Sequence, residues 1–296
     1  MGIIIAIIIL GGVGYFLSNT KQTTTSNGST IQVVAAENFY GDIIKQLGGS
    51  KVNVVSILSD PNADPHQYES NVQDGIAVAK ANLVIENGEG YDTWMDKLLS
   101  ASPNKSRIVL VGTEIADHKI TDNPHVWYSF ENVHTIAGKI TATLKQQDPK
   151  DASYFDSNLT AFDNSLQPLM QKISDIKANY SGVPVALTET IYLYQTQQEG
   201  LNVLTPYEFE KAIAEGNDPS ADDVAKANDQ INNKQVKVLI YNEQTITPIT
   251  TNLENDAKNK NIPVVPVTET LPQGKTYQIW MMSQLTNLES ALQSSK

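Results

Sequence analysis

A chain of 296 residues with 40% hydrophobic content is long enough to bury two cores, so two lobes of ordinary globular size are expected. Its 33 acidic against 21 basic residues give a formal charge of -12, the wrong sign for neutralising phosphates, which argues against a nucleic-acid partner. With no cysteine in the chain, disulfides, thiolate metal ligands, iron–sulfur clusters, a cysteine nucleophile and a cysteine-linked lipid are all excluded, so any metal must be held by nitrogen and oxygen.

The chain opens on an uncharged stretch, Gly2 to Leu17, followed by a polar tract from Ser18 to Thr30. This pattern predicts an export segment with its tether, residues 1–30, either a cleaved signal or a retained membrane anchor, and places the folded part outside the cytoplasmic membrane. From Ile31, β-rich runs at 31–35, 52–58, 83–86 and 108–111 alternate with helical patterns, which predicts a parallel sheet covered by helices over residues 31–146. Ser70 with Gln73 reads as a capping box, so a helix should start just after Asp64-Pro65-His66-Gln67-Tyr68-Glu69. Ser129 and Glu131 mark another helix start just after Asn123-Pro124-His125-Val126-Trp127.

Phe155, Leu159, Phe162, Leu166, Leu169, Ile173 and Ile176 are then spaced by threes and fours, which predicts one long amphipathic helix within residues 147–181. Gly182 and Pro184 end it, and the runs 183–188, 236–241 and 262–267 predict a second α/β lobe over 182–296. The expected fold is therefore α/β: two lobes with parallel sheets joined by one long spine helix. A helical connector resists wide hinge bending, so ligand binding should move the lobes little.

The four histidines are at 66, 118, 125 and 134. His66 and His125 each follow a proline and precede an aromatic residue by two, in loops after strands, where open α/β sheets bind their ligands. His118 lies in a polar stretch and reads as solvated, and His134 falls on the flank of a helix's apolar stripe. Thr188-Glu189-Thr190 and Thr268-Glu269-Thr270 repeat one pattern at the ends of two β runs. Each glutamate alone reads as a surface or helix-start charge; opposite two histidines across a cleft they would complete a nitrogen and oxygen shell suited to Mn²⁺, Zn²⁺ or Fe²⁺. A shell of two histidines and a carboxylate also serves catalytic zinc, but the chain has no His-Glu-x-x-His helix, Gly-x-Ser-x-Gly elbow or Gly-rich phosphate loop.

Ala35-Ala36-Glu37-Asn38-Phe39-Tyr40-Gly41, Asp64-Pro65-His66, Asn123-Pro124-His125-Val126-Trp127 and Thr268-Glu269-Thr270-Leu271-Pro272 occur in this order around the central helix. In this the chain resembles the metal-binding solute-binding proteins of ABC importers for zinc and manganese, over essentially everything after residue 30. The resemblance implies a non-enzymatic carrier whose cargo is one Zn²⁺ or Mn²⁺ held between the lobes by His66, His125, Glu189 and Glu269. It implies delivery to an ABC permease driven by a cytoplasmic ATPase, by a protein expected to be a monomer. The family often has aspartate where Glu269 stands, and its zinc-dedicated members often carry a third histidine or a His-rich loop, against which this chain sets only Ile115 to Asn123 with His118. Gram-positive members usually carry a lipid-modified cysteine that is absent here. Some relatives are described as adhesins, and no feature of this sequence supports direct adhesion.

Overall fold

The computed structural model describes residues 30–60, 63 and 65–295, the side chain of His66 excepted. Apart from Thr30, the export segment and linker expected at residues 1–30 lie outside the described residues. No helix among the described residues is long and apolar enough to cross a membrane.

The first lobe holds strands β1 (Ile31–Glu37), β2 (Val52–Leu58), β3 (Leu83–Glu86) and β4 (Ile108–Val111), all parallel and ordered β2-β1-β3-β4. Between and after them run helices α1 (Asn38–Gly48), α2 (Val72–Lys80), α3 (Thr93–Ala101), α4 (Gly112–Ile115) and α5 (Phe130–Gln147). The central strands β1 and β3 are buried almost throughout, as a sheet covered on both faces requires, whereas edge strand β2 alternates between half-buried and exposed positions over its first five residues. Helix α2 corrects one expectation: its N-cap is Asn71, not Ser70, and the reciprocal partner is Asp74. The Asn71 side chain accepts from the Gln73 and Asp74 amides while Asp74 accepts from the Asn71 amide, so the capping box is real but shifted by one residue.

Helix α6 (Ala152–Tyr180) is 29 residues long, roughly 43 Å at the standard rise. It buries Phe155, Phe162, Leu166, Leu169, Ile173, Ile176 and Tyr180 along one stripe. Pro168 interrupts its hydrogen-bond ladder on the exposed side, where water can serve the carbonyl left over.

The second lobe repeats the topology of the first, with β5 (Pro184–Leu187), β6 (Asn202–Val203), β7 (Val238–Asn242) and β8 (Val264–Val267) parallel in the order β6-β5-β7-β8. Its helices are α7 (Leu193–Glu199), α8 (Tyr207–Ala214), α9 (Ala221–Asn232), α10 (Pro248–Asn259) and α11 (Tyr277–Ser294). In both sheets the chain leaves the first strand to one side and returns on the other, so the switch points fall between β1 and β3 and between β5 and β7. Ligands bind open α/β sheets at the carboxyl ends of the strands beside such points.

The expectation of two separate cores is corrected. One continuous apolar cluster runs from Val33 and Phe39 through Trp127, the buried stripe of α6 and Tyr192 to Val267 and Trp280, with a smaller satellite on the outer face of each sheet. Phe39 stacks on Trp127 with centroids 4.4 Å apart, and the Tyr277 hydroxyl donates to the Trp127 carbonyl at 2.5 Å, so first-lobe aromatics are anchored by the second lobe.

Candidate metal centre

The carboxyl ends of the two sheets face each other, and three of the four residues singled out in the sequence meet there. One ligand atom each from His125, Glu189 and Glu269 lies within 4.8 Å of the others, and all three residues are at most 1% exposed. Among the described residues this is the only such cluster of three or more histidine or carboxylate side chains. His66 lies in a short 3-10 turn, Pro65–Gln67, between β2 and α2; its side chain is not among those described. The remaining histidines are at the surface, His118 beside Glu131 at 3.5 Å and His134 on Asp163 at 2.8 Å.

His125 ends a loop fixed by Asn123. The Asn123 Oδ1 accepts from the His125 amide at 3.1 Å and lies 2.8 Å from Nδ1, while its Nδ2 donates to the Thr190 carbonyl of the second lobe. An amide oxygen can only accept, so the imidazole proton sits on Nδ1 and the Nε2 lone pair lies on the side of Glu269, whose Oε2 is 4.0 Å away. This is the arrangement that orients a histidine for a metal. Trp127 closes the ring's other side with centroids 5.2 Å apart.

Glu189 stands two residues past the end of β5, in extended conformation, and the intervening Thr188 is tied to β7 by accepting from the Asn242 amide. Glu269 follows β8 and is held at several points: Asn242 Nδ2 donates to Oε1 at 2.5 Å, the Tyr91 hydroxyl to Oε2 at 2.8 Å, and the Glu269 amide to Gln244 at 2.6 Å. Two glutamates brought together out of water carry a large desolvation and repulsion cost that a divalent cation between them would reverse. Tyr91, Asn242 and Gln244 were not singled out from the sequence. Tyr91 sits in a glycine-rich turn far from either glutamate motif, and only the folding of one lobe against the other gives it a role.

Burial, and then the charge and hydrogen bond of Glu269, push the Tyr91 phenol well above its ordinary range, so it is a neutral donor. As a bridge from the first lobe to Glu269 of the second, it should tune the candidate site without building it. Tyr91→Phe should weaken cation binding by about 10- to 100-fold while leaving the melting temperature close to the parent's, as calorimetric titration beside a thermal melt would show.

Against the turn that carries Tyr91 lies a cavity of about 300 Å³ whose lining includes Glu86, Gly90, Asp92, Asp96, Glu114 and Lys119. Burial, reinforced by Asp92, Asp96 and Glu114, pushes the Glu86 carboxyl up to about 8. A carboxyl raised in the folded state keeps a proton that the unfolded chain has lost, so its stabilising contribution is complete below the ordinary glutamate range and is lost as pH rises through 8. Glu86→Gln should therefore stabilise the protein at pH 8.5 by roughly 1–2 kcal/mol, discounted for partial solvent access, and have little effect at pH 5 in denaturant melts.

Residues 33–291 match the family described as the periplasmic zinc-uptake complex component A. The chain belongs to that family. Among curated relatives, the metal ABC transporter substrate-binding lipoprotein ScbA of Streptococcus cristatus is 25% identical over 220 residues, covering 70% of this chain and 71% of the relative. The manganese ABC transporter substrate-binding lipoprotein scaA of Streptococcus gordonii is 28% identical over 180 residues, 56% of this chain and 57% of the relative, so this match spans little more than half of either protein. The periplasmic zinc-binding protein TroA of Treponema pallidum shares the fold of this family member, with a TM-score of 0.75 at 16% identity over 88% of this chain and 98% of that one.

Proposed function

We propose that this protein is the extracytoplasmic capture subunit of a divalent transition-metal importer, taking up one Zn²⁺ or Mn²⁺ ion and handing it to an ABC permease with a cytoplasmic ATPase. The observation that carries this reading is the convergence of His125, Glu189 and Glu269, from both lobes, in one buried cluster within 4.8 Å. His66 is the proposed fourth ligand, contributed by the loop that follows β2. The working division is residues 31–146 and 182–296 as lobes with 147–181 between them, the N-terminal segment providing attachment to the membrane and the protein acting as a monomer.

The residues fit the cargo chemically. Imidazole nitrogen with carboxylate oxygen suits borderline and hard divalent ions, and the oxygen share suits Mn²⁺ while the general affinity order favours Zn²⁺ in a test tube. Carriage rather than catalysis follows from a shell whose four proposed ligands complete a coordination sphere, with no additional nucleophile or acid singled out for chemistry. The cation would dock on the first lobe's histidines, and Glu189 and Glu269 would close on it. The shared aromatic core and the spine α6 limit closure to a small adjustment.

Elemental analysis after exposure to equal Mn²⁺ and Zn²⁺ tests the reading: one ion per chain is expected after removal of excess metal, and a protein that retains none would overturn it.

A further inference from the structure

Glu37 closes β1, and its side chain is fully buried. No N–H or O–H group of another described residue donates to either of its carboxyl oxygens, and only its own backbone amide favours the charged form. Its hydrogen-bonding partner is another carboxyl, that of Asp92, which is 3% exposed. Asp92 differs from Glu37 in what it already holds, since its Oδ2 accepts from the Asn87 amide at 2.6 Å and its Oδ1 from the Gly88 amide at 2.8 Å. Two carboxyl groups sharing a dry site cannot both be charged, and Asp92, with the Asn87 and Gly88 amides on it, is the better anion. The proton therefore resides on Glu37, which donates it to Asp92.

The electrostatics agree. Burial foremost, then the Asp92 charge and hydrogen bond, push Glu37 well up against the weaker opposition of its own backbone amide, with Glu86 adding a smaller push. Burial also raises Asp92, but the Gly88 and Asn87 amides and the Glu37 hydrogen bond oppose it. Tyr40 and Tyr91, the phenols that feel Glu37, are both held neutral.

The turn held by Asp92 would be costly without it. Gly88, Glu89 and Gly90 have φ of +87°, +52° and +80°, three successive left-handed residues, one of them not glycine. A Cβ on Gly88 would meet Val111 Cγ1 at 2.5 Å and Thr113 Oγ1 at 2.7 Å, so the turn is also pressed against β4 and its following helix. Two groups of the proposed metal centre hang from this turn. Tyr91 reaches across to Glu269, and Asn87 Nδ2 donates to the carbonyl of Pro124, the residue before His125, at 2.9 Å.

The second lobe supplies a comparison within the same molecule. Continuing the parallel register past Ala35–Ile85 sets Glu37 beside Asn87, and continuing it past Leu187–Ile240 sets Glu189 beside Asn242. The same topological position thus carries a glutamate and an asparagine in each lobe. In the second lobe the glutamate joins the metal cluster and the asparagine holds Glu269; in the first, the glutamate turns to Asp92 and the asparagine holds the His125 loop.

We propose that Glu37 is a positioning residue that, as a neutral acid donating to Asp92, fixes the Asn87–Asp92 turn and through it sets Tyr91 on Glu269 and the Pro124–His125 loop in the metal centre. This inference rests on the metal-capture reading. The test uses the full chain with Glu37→Gln, which keeps a neutral donor of the same shape, and Glu37→Met, which keeps the volume and removes the donor. Calorimetric titration with Mn²⁺ should give parent-like affinity for Glu37→Gln and a loss of about 10- to 100-fold for Glu37→Met at unchanged stoichiometry. The infrared spectrum of the metal-free parent at neutral pH should show protonated-carboxyl C=O absorption that Glu37→Gln reduces by one carboxyl, the share of Glu86, Glu199 and Glu210 remaining, a readout that stands even if Glu37→Met fails to fold. Parent-like affinity in Glu37→Met, or an unchanged band in Glu37→Gln, would overturn the inference alone. A parent that takes up no Mn²⁺ or Zn²⁺ would overturn the metal reading and this positioning role together.

Discussion

Replacing His125 with alanine will cost the protein its tight cation binding. The imidazole supplies the only described nitrogen in the cluster, its tautomer is fixed by Asn123, and Glu269 Oε2 stands 4.0 Å from Nε2. Loss of a group that merely orients a ligand costs about 10- to 100-fold in affinity, so loss of the ligand itself should exceed about 100-fold for both Mn²⁺ and Zn²⁺. The ring is also fully buried against Trp127, so the alanine variant leaves a cavity and should melt lower. His125→Gln, which fills more of the space, separates the two effects: its melting temperature should recover toward the parent's while its affinity does not. Equal binding by parent and variants in calorimetric titration would remove His125 from the site.

The second large effect is that of pH. An imidazole binds metal only as the neutral base, so each ligating histidine must release any proton it carries before the cation can enter. Affinity is therefore fully present above the histidine range and is lost as pH falls through it, by up to tenfold per pH unit for each histidine ligand. Between pH 7.5 and pH 5 affinity should therefore fall, and fall more steeply if His66 joins His125 than if His125 ligates alone. The steepness of the curve thus counts the histidines, and an affinity that does not change over this interval would mean that neither is a ligand.

Much of the architecture is legible in the sequence because it depends on local pattern. Seven of the eight strands coincide with β-rich runs within about three residues, and the stripe from Phe155 to Ile176 marks the spine. The eighth, β6, is only two residues long at a sheet edge, and Asn202-Val203 carries no pattern that could announce it. Ser70 and Asn71 are both competent caps by sequence, and Asp74, whose carboxylate accepts from the Asn71 amide and the Tyr68 hydroxyl, selects Asn71. The shared core was hidden for a different reason. Phe39, Trp127 and Trp280 each look like core residues of their own lobe, and only packing reveals that they form one cluster.

At the site, the sequence was informative where a residue sits in a repeated context and silent where its role is relational. His125, Glu189 and Glu269 stand out by Pro-His and Thr-Glu-Thr contexts, and the fold brings them together. Tyr91 and Asn242 act by touching Glu269 from different lobes, and Glu37 acts on Asp92 more than fifty residues away, so no local spacing points to them.

The most direct test of the central claim is X-ray diffraction from crystals grown with Mn²⁺, recorded where manganese scatters anomalously. A single strong anomalous peak per chain is expected in the interlobe cleft, within bonding distance of His125 Nε2 and of carboxylate oxygens of Glu189 and Glu269, with His66 as the fourth protein ligand. Fully loaded crystals with no peak there, or with the ion bound at a site that His125, Glu189 and Glu269 do not touch, would contradict it.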